Sequence, residues 1–361
     1  LRNDPLTSGI TVGADGVTIR GLVVNGPIRD LILVSGADHF RIEGNFIGSD
    51  VTGSRDQSFA FTALGSERRS QSGIRVTNSS DGVIGGATPG ARNLVFGPSG
   101  EISIRFSQRN QVLGNLLGVQ ANGERGTFLR NSGIVAYGTD HRIGGTAPGE
   151  GNIIAHHTEH GVLVAGKGIT IRGNSIHSNG KQAISHGFGG GVEYPVAQAF
   201  IYNDPLDLDE VDPFDIFEVD GDLQNYPILH AAATTSTGTV VRGTLPSTPS
   251  STFILDFYTN REIDPSGFGE GETLIHSATV DTDALGNAAF EFNVGVALPR
   301  GTIITATATN EAGSTSQFSR RVAVGEELTS VITVNTPDDV DDGIADETHT
   351  SLREAIHAAN N

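Results

Sequence analysis

Two kinds of side chain in this 361-residue chain have the types and spacing to do chemistry, imidazoles and carboxylates. His156-His157-Thr158-Glu159-His160 is the histidine-rich run, with His177 and His186 further along. Two His and a Glu are competent zinc donors, but an i,i+4 pair converges on one ion when it sits on a helix. This stretch reads as turn and strand, so a solvated turn is expected in place of a metal or catalytic site. Asp15, Asp38, Asp81 and Asp140 each precede a short strand and are read as occupying one register of a repeat, with Asn110 as the equivalent elsewhere. A role repeated that often is turn capping, whereas a carboxylate pair that cleaves a glycosidic bond would break the pattern. No Gly-x-Ser-x-Gly elbow or phosphate loop stands out, and Gly187-Phe-Gly-Gly-Gly191 reads as a flexible turn. No catalytic residue is assigned, and the chain is expected not to be an enzyme.

Two segments concentrate carboxylates. Residues 203–225 hold nine acidic side chains and no basic one, and residues 338–347 hold six. Such crowding is costly unless the groups are solvated or bridged, and Ca2+ takes oxygen ligands in flexible loops. Asp220, Asp222 and Asn225, with Asp339, Asp341 and Asp346, are the candidate calcium ligands, although the spacing is not that of an EF-hand; plain surface charge is the alternative. A net charge of −19 repels nucleic acid and anionic membrane surfaces. No stretch approaches the ~18 apolar residues that a membrane-spanning helix needs. With no Cys there is neither disulfide nor thiolate chemistry. The only lysines are Lys167 and Lys181, which leaves none for an isopeptide staple in the second half.

The elements that must position these groups begin with a repeat. Short apolar strands start at Gly9, Leu31, Gly73, Glu101, Gly133 and Gly161, spaced by 22, 42, 28, 32 and 28 residues. Each is followed by a turn and a second alternating strand, such as Val17-Thr-Ile19 or Ile169-Thr-Ile171. Asn recurs at a third place: Asn45, Asn93, Asn115, Asn152 and Asn174. In a right-handed parallel β-helix, stacked coils put like turn residues one above another, where Asn passes hydrogen bonds along the stack. Six or seven coils at ~4.8 Å make a rod about 30 to 35 Å long. The longer spacings read as insertions on one side, at 49–72 and 118–131. Gly, at 48 residues, fits the many tight turns this requires.

Beyond the acidic break the pattern changes to seven alternating strands, near 230–235, 239–245, 252–258, 273–280, 287–294, 302–309 and 315–324. Phe253, Leu255 and Phe257 share a face, as do Phe290, Phe292 and Val294, and Ile304, Ala306 and Ala308. Seven strands in about 100 residues suit an immunoglobulin-like β-sandwich. The tail is a strand at Val331-Ile-Thr-Val334 and a helix opened by a Ser351/Glu354 capping box, with Leu352, Ala355, Ile356 and Ala359 on one face. The expected domains are a β-helix over 1–202, an acidic linker over 203–225, a sandwich over 226–325 and a strand-loop-helix cap over 326–361.

Thr350-Ser-Leu-Arg-Glu-Ala-Ile-His-Ala-Ala-Asn360 resembles the Cys-Ser-Leu-Arg-Glu-Ala domain of large secreted bacterial β-helix proteins, with Thr350 in the place of its Cys and Ile344 in that of the partner Cys. Gly85-Gly-Ala-Thr-Pro-Gly90, Gly144-Gly-Thr-Ala-Pro-Gly149, Leu223-Gln-Asn-Tyr-Pro227 and Asp264-Pro-Ser-Gly-Phe-Gly-Glu-Gly271 are similar to segments of the same group. The resemblance implies a secreted or cell-surface protein and no catalytic motif. In that group the helix domain ordinarily precedes and caps a β-helix, whereas here it comes last. The expectation is therefore a structural or adhesive unit whose partner is a further copy. Val331, Val334, Ser351, Leu352, Arg353, Glu354, Ala355, Ile356 and Ala359 would form the head-to-tail interface of a filament or surface fibre. A module binding surface glycans or a receptor is the alternative, and a polysaccharide lyase or hydrolase comes third.

Overall fold

The computed structural model describes residues 8–26, 30–55, 57, 72–97, 100–126, 132–186, 203 and 223–325. Asp220 and Asp222, and the whole 326–361 segment with its assembly residues, Asp339, Asp341 and Asp346, lie outside the described residues. The protein is all-β, a parallel β-helix followed by an antiparallel sandwich; among the described residues the one helical element is the 3-10 turn Pro89–Ala91.

Three parallel sheets form the faces of the solenoid. The first face stacks seven strands: Ile10–Val12, Asp30–Ser35, Ser72–Thr77, Ile102–Gln108, Ile134–Thr139, Val162–Lys167 and Ile184–His186. The second stacks Thr18–Arg20, Arg41–Glu43, Val83–Gly85, Gln111–Leu113, Arg142–Gly144 and Thr170–Arg172. The third stacks Val23–Val24, Phe46–Ile47, Leu94–Val95, Leu116–Leu117, Ile153–Ala155 and Ser175–His177. Register follows the hydrophobic column, because a one-residue slip would turn every core side chain outward. Ile10, Ile32, Ile74, Ile102, Ile134, Val162 and Ile184 are paired in one row, and those from Ile32 to Val162 are fully buried. The pairing reproduces the repeat spacing and adds a seventh strand.

Each corner has its own chemistry. At the corner between the first and second faces, Gly16, His39, Asp81, Arg109, Asp140 and Gly168 all have φ between 51° and 69°. That left-handed position favours Gly, Asp and Asn. The aspartates do not share one register: pairing aligns Thr18, Arg41, Val83, Gln111 and Arg142, which sets Asp15 and Asp38 one residue ahead of Asp81 and Asp140, and Asn110 one behind them. The roles differ accordingly. Asp15 Oδ1 accepts from Asp38 N at 2.8 Å, and Asp38 Oδ1 from Ser80 N at 2.7 Å. Asp81, in the left-handed position, holds Arg109 in a bidentate pair.

At the second corner the Asn ladder forms as the sequence indicates. Asn93 Oδ1 accepts from Asn45 N, Asn115 Oδ1 from Asn93 N, Asn152 Oδ1 from Asn115 N and Asn174 Oδ1 from Asn152 N, at 2.9 to 3.3 Å. The described first residues of both insertions lie at the third corner, where Ala121 N donates to Gly53 O.

The sandwich pairs Ile228–Thr235, Gly238–Pro246 and Asn287–Asn293 in one sheet, and orders Thr273–Asp281, Thr252–Asn260, Ile303–Thr309 and Val322–Ala323 in the other. The fourth strand in sequence thus joins the third, where a constant-type immunoglobulin sheet would carry it beside the first three-strand set. Phe253, Leu255, Phe257, Phe290, Ile304, Ala306 and Ala308 fill the space between the sheets. The last expected strand, 315–324, shrinks to Val322–Ala323 because the Ser316 and Ser319 hydroxyls take the Ala308 and Ala306 N–H bonds that a regular ladder would give to backbone carbonyls.

Candidate functional site

The two ends of the solenoid are chemically opposite. At the far end the four-stranded sheet of the sandwich lies across the last coil. Ile303–Thr309 is buried along its whole length, one side among Phe257 and its neighbours, the other under Glu270 and Thr315, which themselves bond the coil. Tyr258 and Phe318, edge to face at 5.2 Å, belong to the solenoid's hydrophobic cluster and not to that of the sandwich.

Backbone groups that an eighth coil would satisfy are satisfied by the sandwich. At the first corner Gly168 N donates to Ser314 Oγ, and on the second face Ile171 N donates to Thr315 Oγ1. At the second corner Gly173 N donates to Tyr258 Oη at 3.1 Å. On the third face Ile176 and Gly271 exchange both backbone bonds. At the third corner Glu270 carboxylate accepts from Ser178 N at 2.5 Å and Asn179 N at 2.9 Å. Unpaired strand edges are liabilities that proteins cover, and here the cover is built in.

Charge is buried in this joint. Arg172 donates two bonds to Asp256, 2.6 and 2.8 Å long, and Asp256 has no solvent exposure and also accepts from Ser277 Oγ. Burial pushes Glu270 up to about 7, against the Asn179 and Ser178 N–H groups, which favour its charged form. Burial pushes His186 down to about 4, its Nε2 standing 2.9 Å from Thr315 O.

At the near end no strand among the described residues pairs with the outer edge of Ile10–Val12, Thr18–Arg20 or Val23–Val24. The Asn ladder stops there. Asn45 Oδ1 accepts from Leu22 N, so Leu22 occupies the rung that Asn fills in the next five coils. Leu22 and Val23 are 44% and 45% exposed, an apolar step where the column is otherwise polar and buried.

The histidine run is not the solvated turn expected of it. His157 is 2% exposed: its Nδ1 and Asn179 Oδ1 are 3.0 Å apart, and its Nε2 lies 3.3 Å from the buried Glu101 carboxylate, which accepts from Gly118 N. His160 is half-buried and does not meet His156 as a ligand pair; His156 meets His177 instead. His141, buried at the first corner with Nδ1 accepting from Asn110 N, is pushed down to about 4 by burial. Of the calcium candidates only Asn225 is described; it is buried, and its Nδ2 donates to Pro246 O at 3.0 Å. Among the described residues no three His, Asp or Glu converge on a metal position. Nothing in the residue pattern marks Arg172, Asp256, Glu270 or Thr315 as joint residues, although Glu270 lies in the Asp264–Gly271 segment singled out above.

Fold and joint together define the class: a three-faced parallel β-helix closed at one end by a β-sandwich of its own chain. No protein family and no curated protein matches the chain. Among solved structures it is similar to the enzymatically active domain of bacteriophage CBA120 tailspike protein 2, with a TM-score of 0.28 at 14% identity over 89% of this chain and 52% of that one. It is also similar to the BSP domain of a biofilm associated protein, with a TM-score of 0.20 at 22% identity over 28% of this chain and 14% of that one. The chain thus spans about half of the first and a seventh of the second.

Proposed function

We propose that this chain is a structural or adhesive unit of a secreted or cell-surface protein, joined end to end with copies of itself. The sandwich, read as immunoglobulin-like, closes its own solenoid, and the 326–361 segment, read as a Ser-Leu-Arg-Glu-Ala type cap, covers the first coil of the next unit. The observation that carries this reading is the inequality of the ends: the second and third faces and all three corners of the last coil bond to the sandwich, while among the described residues nothing pairs with the outer edge of the first coil, where Leu22 and Val23 are exposed. Read from the sequence as a helix, Leu352, Ala355, Ile356 and Ala359 would present the matching apolar face. Such an interface joins unlike surfaces and therefore propagates as a chain.

Sedimentation velocity and electron microscopy of the full chain test it. The expected result is concentration-dependent end-to-end species that Leu352→Asp and Leu22→Asp each abolish. Compact monomers at every concentration would overturn it.

A glycan-binding reading has one observation of its own. Phe106, 79% exposed at φ 53° on a bulge in Ile102–Gln108, stands beside Arg105, whose guanidinium lies 4.9 Å over the Tyr137 ring. Glycan capture lost in Phe106→Ala, with assembly absent, would favour that reading.

A further inference from the structure

We propose that His156 and His177 form a two-imidazole site for a divalent first-row transition-metal ion, preferring Cu2+ and then Zn2+. The site is independent of end-to-end assembly. A pair of histidines four apart converges on a helix; here stacking does the same work, because side chains one coil apart in a parallel sheet stand about 4.8 Å from each other.

Ala155 is the paired neighbour of His177, and His156 N donates to His177 O, so the two rings leave adjacent coils at the same corner. Their centroids are 5.7 Å apart with planes at 88°. Two imidazoles on one tetrahedral ion, with metal–nitrogen bonds of about 2.0 to 2.1 Å, have ring centres about 5 Å apart, so small rotations about the side-chain torsions bring both onto a shared ion.

The nitrogens are available. Among the described residues the His156 ring makes no hydrogen bond, and His177 uses Nδ1 alone, 3.2 Å from Ser178 Oγ. His156 also holds a left-handed backbone, φ 67°, a conformation that a non-glycine residue keeps where its surroundings enforce it. Burial lowers both imidazoles from their ordinary value.

The charged groups facing the pair are Arg125 toward His156, and Glu272 and Arg261 toward His177, the last two paired with each other. No third His, Asp or Glu of the described residues converges there, so the remaining coordination positions are open to water or to an incoming ligand. Two neutral imidazoles favour Cu2+ and Zn2+ over the hard cations that the acidic segments attract.

The test is titration of the full chain with Cu2+, and separately Zn2+, in excess Ca2+ to occupy carboxylates. Calorimetry is combined with electron paramagnetic resonance of the Cu2+ form. The proposal expects one ion per chain, hyperfine structure from two imidazole nitrogens, and about tenfold or greater loss of affinity in His156→Ala and in His177→Ala. The exposed His230→Ala should leave binding unchanged. Thermal melts of the variants verify folding. Absence of a saturable site, or a site that survives in the His156→Ala/His177→Ala double variant, overturns it.

Discussion

Replacing Arg172 by Met isolates the joint between solenoid and sandwich. The change keeps most of the side-chain volume and removes both donors to Asp256, leaving a fully buried carboxylate with Ser277 Oγ as its remaining side-chain partner. Breaking a buried ion pair from one side costs about 3–5 kcal/mol. The converse change, Asp256→Leu, strands a guanidinium that is 18% exposed and can turn toward water, so its cost falls at or below the lower end of that range. The double variant Arg172→Met/Asp256→Leu removes both charges and recovers most of the loss, giving a coupling energy of about 2–3 kcal/mol. Native-state hydrogen exchange reads this locally. The amides of Ile171, Gly173 and Ile176, which donate to Thr315, Tyr258 and Gly271, lose about a hundredfold or more of their protection in Arg172→Met. Amides in the middle of the stack, such as Leu116, do not change. Unaltered protection at the joint, or a uniform loss over the whole chain, would refute the reasoning.

The ladder predicts a comparable loss deep in the solenoid. Asn115 Nδ2 donates to Ile84 O, Leu113 O and Asn152 Oδ1, while its Oδ1 accepts from Asn93. Asn115→Ala strands several buried polar groups at about 1–3 kcal/mol each, so urea unfolding should show roughly 3–5 kcal/mol of destabilisation. The pH dependence has two opposing parts. His186 and His141, folded-state values about 4 against 6.5 when unfolded, contribute stability that is present above pH 6.5 and lost as pH falls toward 4. Glu270, raised from 4.5 to about 7, contributes stability that is full below pH 4.5 and lost as pH rises through 7, at most about 3 kcal/mol. Between about pH 4.5 and 7 the two parts oppose each other, so stability measured by denaturation should rise with pH to a plateau near neutrality, and Glu270→Gln should steepen that rise.

The coils were legible because their signals are local and repeated: one apolar column at spacings of 22 to 42 residues, and an Asn at the same rung five times over. The sandwich strands were legible from alternation for the same reason. The aspartate register was not, since Asp serves both in the left-handed position and in the residue before it, and an apolar strand start does not distinguish the two. The joint was hidden because its partners are far apart in sequence: Arg172 and Asp256 are separated by 84 residues, Gly168 and Ser314 by 146. Ser314 to Ser319 is a run of small polar residues with no alternation to read, and its hydroxyls divide between the docked coil, at Ser314 and Thr315, and the neighbouring sandwich strand, at Ser316 and Ser319. His157 was misjudged likewise, because its partner Glu101 comes from a strand start two coils away.

One measurement addresses both ends at once: hydrogen exchange of the unmodified full chain at low and at high protein concentration. A solenoid closed by its own sandwich and completed by a second copy predicts that Ile171, Gly173, Ile176 and Asn179 are protected at both concentrations. The outward amides of Ile10–Val12, Thr18–Arg20 and Val23–Val24 then exchange quickly in dilute solution and slow as concentration rises. Rapid exchange at the joint, or first-coil protection that ignores concentration, would contradict it.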